Sequence, residues 1–241
     1  MKSAIKRLAA NLGYEIRRHS GEATADAFME QVRLTTNQKN PTIFDVGANV
    51  GNTCLHYKAL FPDSTLYAFE PFPETFEKLR GMLRDQKTTF LHAFGLADLE
   101  GNRIFNSNTS PATNSLFKTA RDASKAWGAN ILETQQSVSI PFTTLDSFSE
   151  SHRIAAIDIL KLDVQGAELL VLKGARRMLE ERRIRLIYSE MLVASTYEGQ
   201  PDIHETLEFL HDHHFQLFNL YNLGTKDGRL RQMDAIFLLE G

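Results

Sequence analysis

"TIFDVGANVGNTCLHY", residues 42–57, sets a short apolar run against an Asp, two glycines and a helical pattern. Ile43, Phe44 and Val46 suit a strand, Gly47 permits a tight turn, and a helix is expected over 52–61, closed by Pro62. Strand, glycine turn and helix make the repeating unit of a parallel sheet covered on both faces. The alternation extends outward from this stretch. "TLYAFE" (65–70) leads to a helix at 73–84, and "TTFLHAF" (88–94) follows as a strand. After "VSIPF" (138–142) and a short helix at 144–150, "IDILKLD" (157–163) leads to a helix at 167–180. "IRLIYSE" (184–190) leads to a helix at 202–213. "FQLFNLY" (215–221) and "DAIFLL" (234–239) are separated only by a turn region and should pair antiparallel. The expected fold class is α/β: a doubly wound, mostly parallel seven-stranded sheet with an antiparallel last strand.

The 241 residues carry a net charge of −3, with 42% hydrophobic and 24% charged side chains. That length suits one α/β domain, placed at 41–241, with residues 1–40 as an N-terminal helical appendage. Residues 98–136, rich in Asn, Ser and Thr, read as an insertion with short strands and a mobile substrate loop. No basic surplus marks a nucleic-acid binder. One cysteine, Cys54, excludes an internal disulfide framework. No apolar run spans a bilayer and no signal peptide is evident, so a cytoplasmic location is expected. Ile5, Leu8, Ala9 and Leu12 recur at helical spacing among basic residues. That stretch, 1–20, reads as a helix packed on the flank, or as a weak grip on an anionic membrane or partner.

Ligands of open parallel sheets bind beyond the carboxyl ends of the strands. Asp45, Glu70, Asp163 and Glu190 lie at or near such ends, and Asp234 starts the antiparallel strand at the same rim. Five acids together call for a cationic or hydroxyl-rich ligand. The loop departs from the dinucleotide pattern G-x-G-x-x-G, because Asn49 replaces the second glycine and the third is absent. Gly51 would let backbone approach a ligand at the helix N-terminus. Glu70 suits a ribose diol. Asp45 would repel a pyrophosphate and attract an ammonium group, directly or through water. A phosphate-free nucleotide such as S-adenosyl-L-methionine fits this rim better than NAD.

"FDVGANVGNT", "AFEPFPETFEKL", "GLADLEG", "TTLDSF" and "ILKLDVQGAELLVLKGA" occur in that order. Together they resemble the successive motifs of FkbM-type methyltransferases, a branch of the class I S-adenosylmethionine-dependent enzymes with a Rossmann-like fold. The resemblance covers roughly residues 42–240. It implies that Gly47, Ala48, Asn49 and Gly51 shape the methionine-side loop, with Asp45 near the amino group. It implies that Asn52 and Thr53 open the helix facing the cofactor carboxylate. Glu70 and Pro71 would lie along the ribose, Phe72 would face the adenine, and Gly95 and Leu96 would flank its edge. Asp163 would come closest to the transferring methyl. Gln165 stands where many relatives carry a Glu.

If the acceptor is a hydroxyl, its proton must leave, and Asp163, Glu190 and His204 are the candidate catalytic groups. Each has a plainer reading: Asp163 as a partner of turn amides, Glu190 as a structural acceptor, His204 as a surface residue. Glu168 sits in a first helical turn, where the dipole favours an acid regardless. "HDHH" (211–214) falls at the opposite rim and fits no zinc spacing, so no metal is expected. Trp127, Phe117, Tyr197 and Tyr221 are candidates to stack on an acceptor ring. Lys226, Arg229 and Arg231 hint at an anionic acceptor, beside the reading of a solvated turn. The expected activity is O-methylation of a carbohydrate or small-metabolite hydroxyl. An NAD-linked oxidoreductase and a non-catalytic nucleotide-binding module stay open as alternatives.

Overall fold

A computed structural model describes residues 26–128 and 131–241; residues 1–20, with their proposed membrane or partner contact, lie outside it. The seven-stranded sheet has the order β3-β2-β1-β7-β8-β10-β9. Its strands are β1 (Thr42–Val46), β2 (Thr65–Phe69), β3 (Thr89–His92), β7 (Ile157–Leu162), β8 (Ile184–Leu192), β9 (Phe215–Lys226) and β10 (Arg229–Leu239). β1 pairs parallel with β2 and β7, and β10 runs antiparallel to both β8 and β9. The Rossmann-like, doubly wound arrangement is therefore present. The strand order reverses between β1 and β7, so their crossovers leave to opposite sides and open a crevice at the carboxyl edge.

Helices cover both faces. α1 (Ala27–Leu34) and α2 (Asn52–Leu60) lie with α3 (Pro73–Met82), and Cys54, Tyr57, Leu79 and Leu83 join Ile43, Leu66 and Ile159 in one core. Ala27 is buried, and Gln31 of α1 accepts a 2.8 Å hydrogen bond from Tyr57, which seats this helix on the sheet. The opposite core gathers Phe44, Phe69, Leu160 and Ile187 under α5 (Leu145–Ser151), α6 (Glu168–Lys173), α7 (Arg176–Glu180) and α8 (Ile203–Asp212). Each large apolar side chain so buried contributes about 1.5–3 kcal/mol. Pro73 at the start of α3 and the reciprocal capping of Asp202 with Glu205 on α8 fix where those helices begin. No helix among the described residues is long and apolar enough to cross a membrane.

Two sequence expectations need correction. The turn expected over 222–233 is mostly strand: β9 and β10 continue to Lys226 and Arg229, joined by Asp227 and Gly228, both at positive φ. That is the Asp-Gly hairpin turn, whose backbone twist matches the flanking strands. The helix expected over 167–180 is two helices, α6 and α7, divided at Gly174 and Ala175. The insertion and its flanks build a small sheet, ordered β4-β6-β5, from β4 (Gly95–Leu96), β5 (Gly101–Asn108) and β6 (Thr134–Thr143). With α4 (Ala123–Trp127) it stands over the crevice.

Candidate active site

The β1–β7 register sets Asp45 directly opposite Lys161. Lys161 Nζ lies 3.0 Å from Asp45 Oδ1 and 3.4 Å from Asp163 Oδ2, and it donates to Gly47 O at 3.3 Å. Burial alone would lower the Lys161 pKa, but the Asp45 and Asp163 carboxylates outweigh it and raise the pKa above the ordinary lysine value. Asp45 is 0% exposed, and its other oxygen accepts from Cys54 Sγ at 3.1 Å. Asp45 thus sits beneath the loop, away from the cleft where an ammonium group was expected. Two of the five acids that seemed to await a cationic ligand, Asp45 and Asp163, already hold a cation of the chain. Lys161 is the residue the sequence reading missed.

Above this pair, a cleft of about 670 Å³, open to solvent, is lined by Gly47, Asn49, Glu70, Pro71, Gly95, Leu96 and Asp163. Phe105 and Leu116 of the insertion and Phe142 of β6 close its far side. Gly47 has φ +82°, and a Cβ there would lie 1.9 Å from the Asp163 carbonyl oxygen, so only glycine lets this loop lie against β7. Asn49 also takes a left-handed backbone, φ 49°, and its buried Oδ1 has no hydrogen-bond partner. Glu70 accepts from the backbone N–H of Asn49 at 3.0 Å and of Phe72 at 2.9 Å. Burial raises the Glu70 pKa to about 7, against those hydrogen bonds.

Five loop and strand-end residues fall elsewhere than expected. A Cβ on Gly51 would meet Leu79 at 2.8 Å, so that glycine makes room for α3 and not for a ligand. Phe72 is buried with Ala97, Phe105, Ile140 and Phe142, which leaves Phe105 and Phe142 as the aromatic wall. Ala48 is buried and Asn52 exposed, and neither lines a cleft; Thr53 lines the neighbouring one.

Asp163 is shared by three clefts. The second holds Thr53, Lys161, Tyr188, Glu190, Asn222 and Asp234. The third is framed by Trp127, Ile131, Leu132, Gln165, Glu190 and Thr196. Gln165 Nε2 donates to Asp163 Oδ1 at 2.9 Å and to Glu190 Oε2 at 2.6 Å. Burial raises the Glu190 pKa well above the carboxylate range, and the Asp163, Glu168 and Asp234 charges add to it. Glu168 accepts from the backbone N–H of Val164 and Gly166, so it holds the turn and does not face ligand. Burial raises its pKa to about 7.

His204 is not brought to this site. Its side chain is 72% exposed, 4.0 Å from Asp202, and lines no cleft. Thr206 and Leu210 form the buried stripe of α8, and His204 lies off that face. Trp127 lines the third cleft, whereas Tyr221 is buried beneath α1 and Phe117 packs on Leu132 and Tyr197. Lys226, Arg229 and Arg231 lie on the hairpin and line none of these clefts.

A Rossmann-like sheet of this order, with a glycine turn after β1 and an acid just past the next strand, is the arrangement of a nucleotide-binding α/β fold. Residues 45–217 match the Methyltransferase FkbM domain, and the chain belongs to the FkbM methyltransferase family. It is a methyltransferase, and its membership supports S-adenosylmethionine-dependent methylation. It is 25% identical to the 2-O-methyltransferase NoeI of Sinorhizobium fredii, over 75% of this chain and 75% of that protein. It is 27% identical to the hexuronic acid methyltransferase AglP of Haloferax volcanii, over 61% of this chain and 55% of that protein. Among solved structures it is similar to magnesium protoporphyrin IX methyltransferase of Synechocystis with bound SAM. That match has 9% identity, covers 99% and 97% of the two chains, and has a TM-score of 0.47.

Proposed function

We propose that the chain is an O-methyltransferase that uses S-adenosyl-L-methionine and methylates a hydroxyl of a carbohydrate or small metabolite. The observation that carries this reading is the place of Asp163, at the junction of a nucleotide-sized cleft and an insertion-lined cleft. The first cleft fits the cofactor. Glu70 supplies carboxylate oxygens for a ribose diol, and the unpartnered Asn49 Oδ1 is a free acceptor for an ammonium or hydroxyl donor. Phe105, Leu116 and Phe142 offer an apolar wall for a base, with Pro71, Gly95 and Leu96 along it.

The cofactor, when bound, supplies a methyl group already activated by its sulfonium. The remaining task of the protein is to align the acceptor oxygen and exclude water. Asp163 sits where it faces both clefts, 39% exposed, and is held by Gln165 and Lys161. Glu190 lies across Gln165 from it. Gln165 holds both carboxylates beside the acceptor, where an ionised one can take the leaving hydroxyl proton while the other orients that hydroxyl. The insertion, residues 98–136, frames the acceptor. The 2-O-methyltransferase NoeI supports a hydroxyl acceptor, and the hexuronic acid methyltransferase AglP supports the carbohydrate class.

The test is transfer of a radiolabelled methyl group to a panel of glycans and metabolites. Asp163→Asn should lower transfer about 100-fold or more while S-adenosylhomocysteine still binds. Binding of S-adenosylhomocysteine with no transfer to any acceptor would instead mark a non-catalytic module. Binding of NAD in its place would mark an oxidoreductase.

A further inference from the structure

Both amide hydrogens of Gln165 are committed, one to Asp163 and one to Glu190. Its Oε1 lies 3.1 Å from the Tyr197 hydroxyl, which is also 2.9 Å from Thr113 O in the insertion. Its backbone carbonyl accepts from Ser115 Oγ at 2.7 Å. Gln165 is therefore held from three sides, at a left-handed φ of 54°, and it has no donor left for a ligand. It draws two carboxylates together and leaves their outer lone pairs free. The other polar residues of the third cleft are Thr113, Thr196 and Gln232, and no Lys or Arg lines it among the described residues. Lys161 is buried and already paired with Asp45 and Asp163. On the apolar side, the Trp127 ring is fixed by its Nε1 donating to Thr196 Oγ1 at 2.7 Å. Ile131, Leu132 and Leu192 extend that wall.

Resting on the methyltransferase reading above, we infer that this cleft selects an uncharged, polyhydroxylated ring: Asp163 and Glu190, clamped by Gln165, accept from its hydroxyls, and its apolar face lies on Trp127. A carboxylate or phosphate on the acceptor would meet the Asp163 carboxylate, whose cation Lys161 is shared with Asp45, and would find no Lys or Arg in the cleft to pair with, a penalty of about 30-fold or more in affinity. A Glu at position 165 would set a third carboxylate between the other two. The Gln found there is what permits the pair.

The experiment loads the protein with S-adenosylhomocysteine, checked by calorimetry, and measures saturation-transfer NMR with neutral methyl glycosides and the uronates of matching ring configuration. Neutral rings should bind and uronates should not. Asp163→Asn, which removes the charge and keeps the shape, should narrow that preference by about tenfold. Uronates binding as well as neutral rings would overturn the inference, and so would a neutral panel without a binder on loaded protein. A preference unchanged in Asp163→Asn would count against it equally. Failure of the protein to hold S-adenosylhomocysteine at all would refute the methyltransferase reading instead.

Discussion

Glu70 offers the sharpest test, because burial sets its ionisation near neutrality. Its pKa is raised to about 7, and its two oxygens accept from the Asn49 and Phe72 amides. If ribose hydroxyls are bound by the ionised form, ~90% of the protein is competent at pH 8 and only ~10% at pH 6. S-adenosylhomocysteine affinity should then fall about tenfold between those conditions, or about 1.4 kcal/mol. Glu70→Gln removes the titration and turns an amide NH₂ toward one backbone N–H. It should flatten the pH dependence and weaken binding at pH 8 by about 1.5–3 kcal/mol, the range for hydrogen bonds to a charged group. The folding linkage has a definite sign. The folded carboxyl binds its proton more tightly than the unfolded one, so wild-type stability falls as pH rises from about 4.3 to about 7, by up to ~3 kcal/mol. Glu70→Gln should lack that slope. Isothermal calorimetry and urea denaturation at both pH values measure these effects. Equal wild-type affinity at pH 6 and pH 8, or undiminished binding by Glu70→Gln, would refute the placement of the ribose on this carboxylate.

Lys161→Met leaves the fully buried Asp45 without its counter-charge and should cost about 3–5 kcal/mol in urea denaturation. Adding Asp45→Asn to that variant should recover more than half of the loss. Gly47→Ala places a methyl 1.9 Å from the Asp163 carbonyl at a φ of +82°, so S-adenosylhomocysteine binding should drop below detection by calorimetry. His204→Ala should leave methyl transfer within about twofold and stability within about 0.5 kcal/mol of wild type, as for an ordinary surface change.

The sheet was legible because each buried strand is a compact apolar run and each crossover ends on a Gly, a Pro or an acid. Asp45, Glu70, Asp163 and Glu190 could be placed at one edge for the same reason. Lys161 was hidden in plain view: it stands inside "ILKLD", where a single cation in an apolar strand signals a buried partner. The partner follows only from the β1–β7 register, which no local pattern states. His204 failed through helix phase, since strand-edge logic says nothing of which way a first-turn side chain faces. The hairpin failure was avoidable, because "KDGR" carries the Asp-Gly signal between residues 226 and 229. Phe105 was out of reach, because it comes from an insertion with no periodic pattern, and Phe142 because "VSIPF" joins the small sheet, a pairing no local pattern states.

Cys54 is the chain's sole thiol and lies under the glycine loop, donating to Asp45. Burial, reinforced by the Asp45 charge, raises its pKa well above the usual thiol value. An alkylating reagent therefore gains access only when the first turn of α2 lifts from the sheet. The native sequence thus carries its own stopwatch for breathing of the nucleotide cradle, readable by labelling kinetics without any engineered probe.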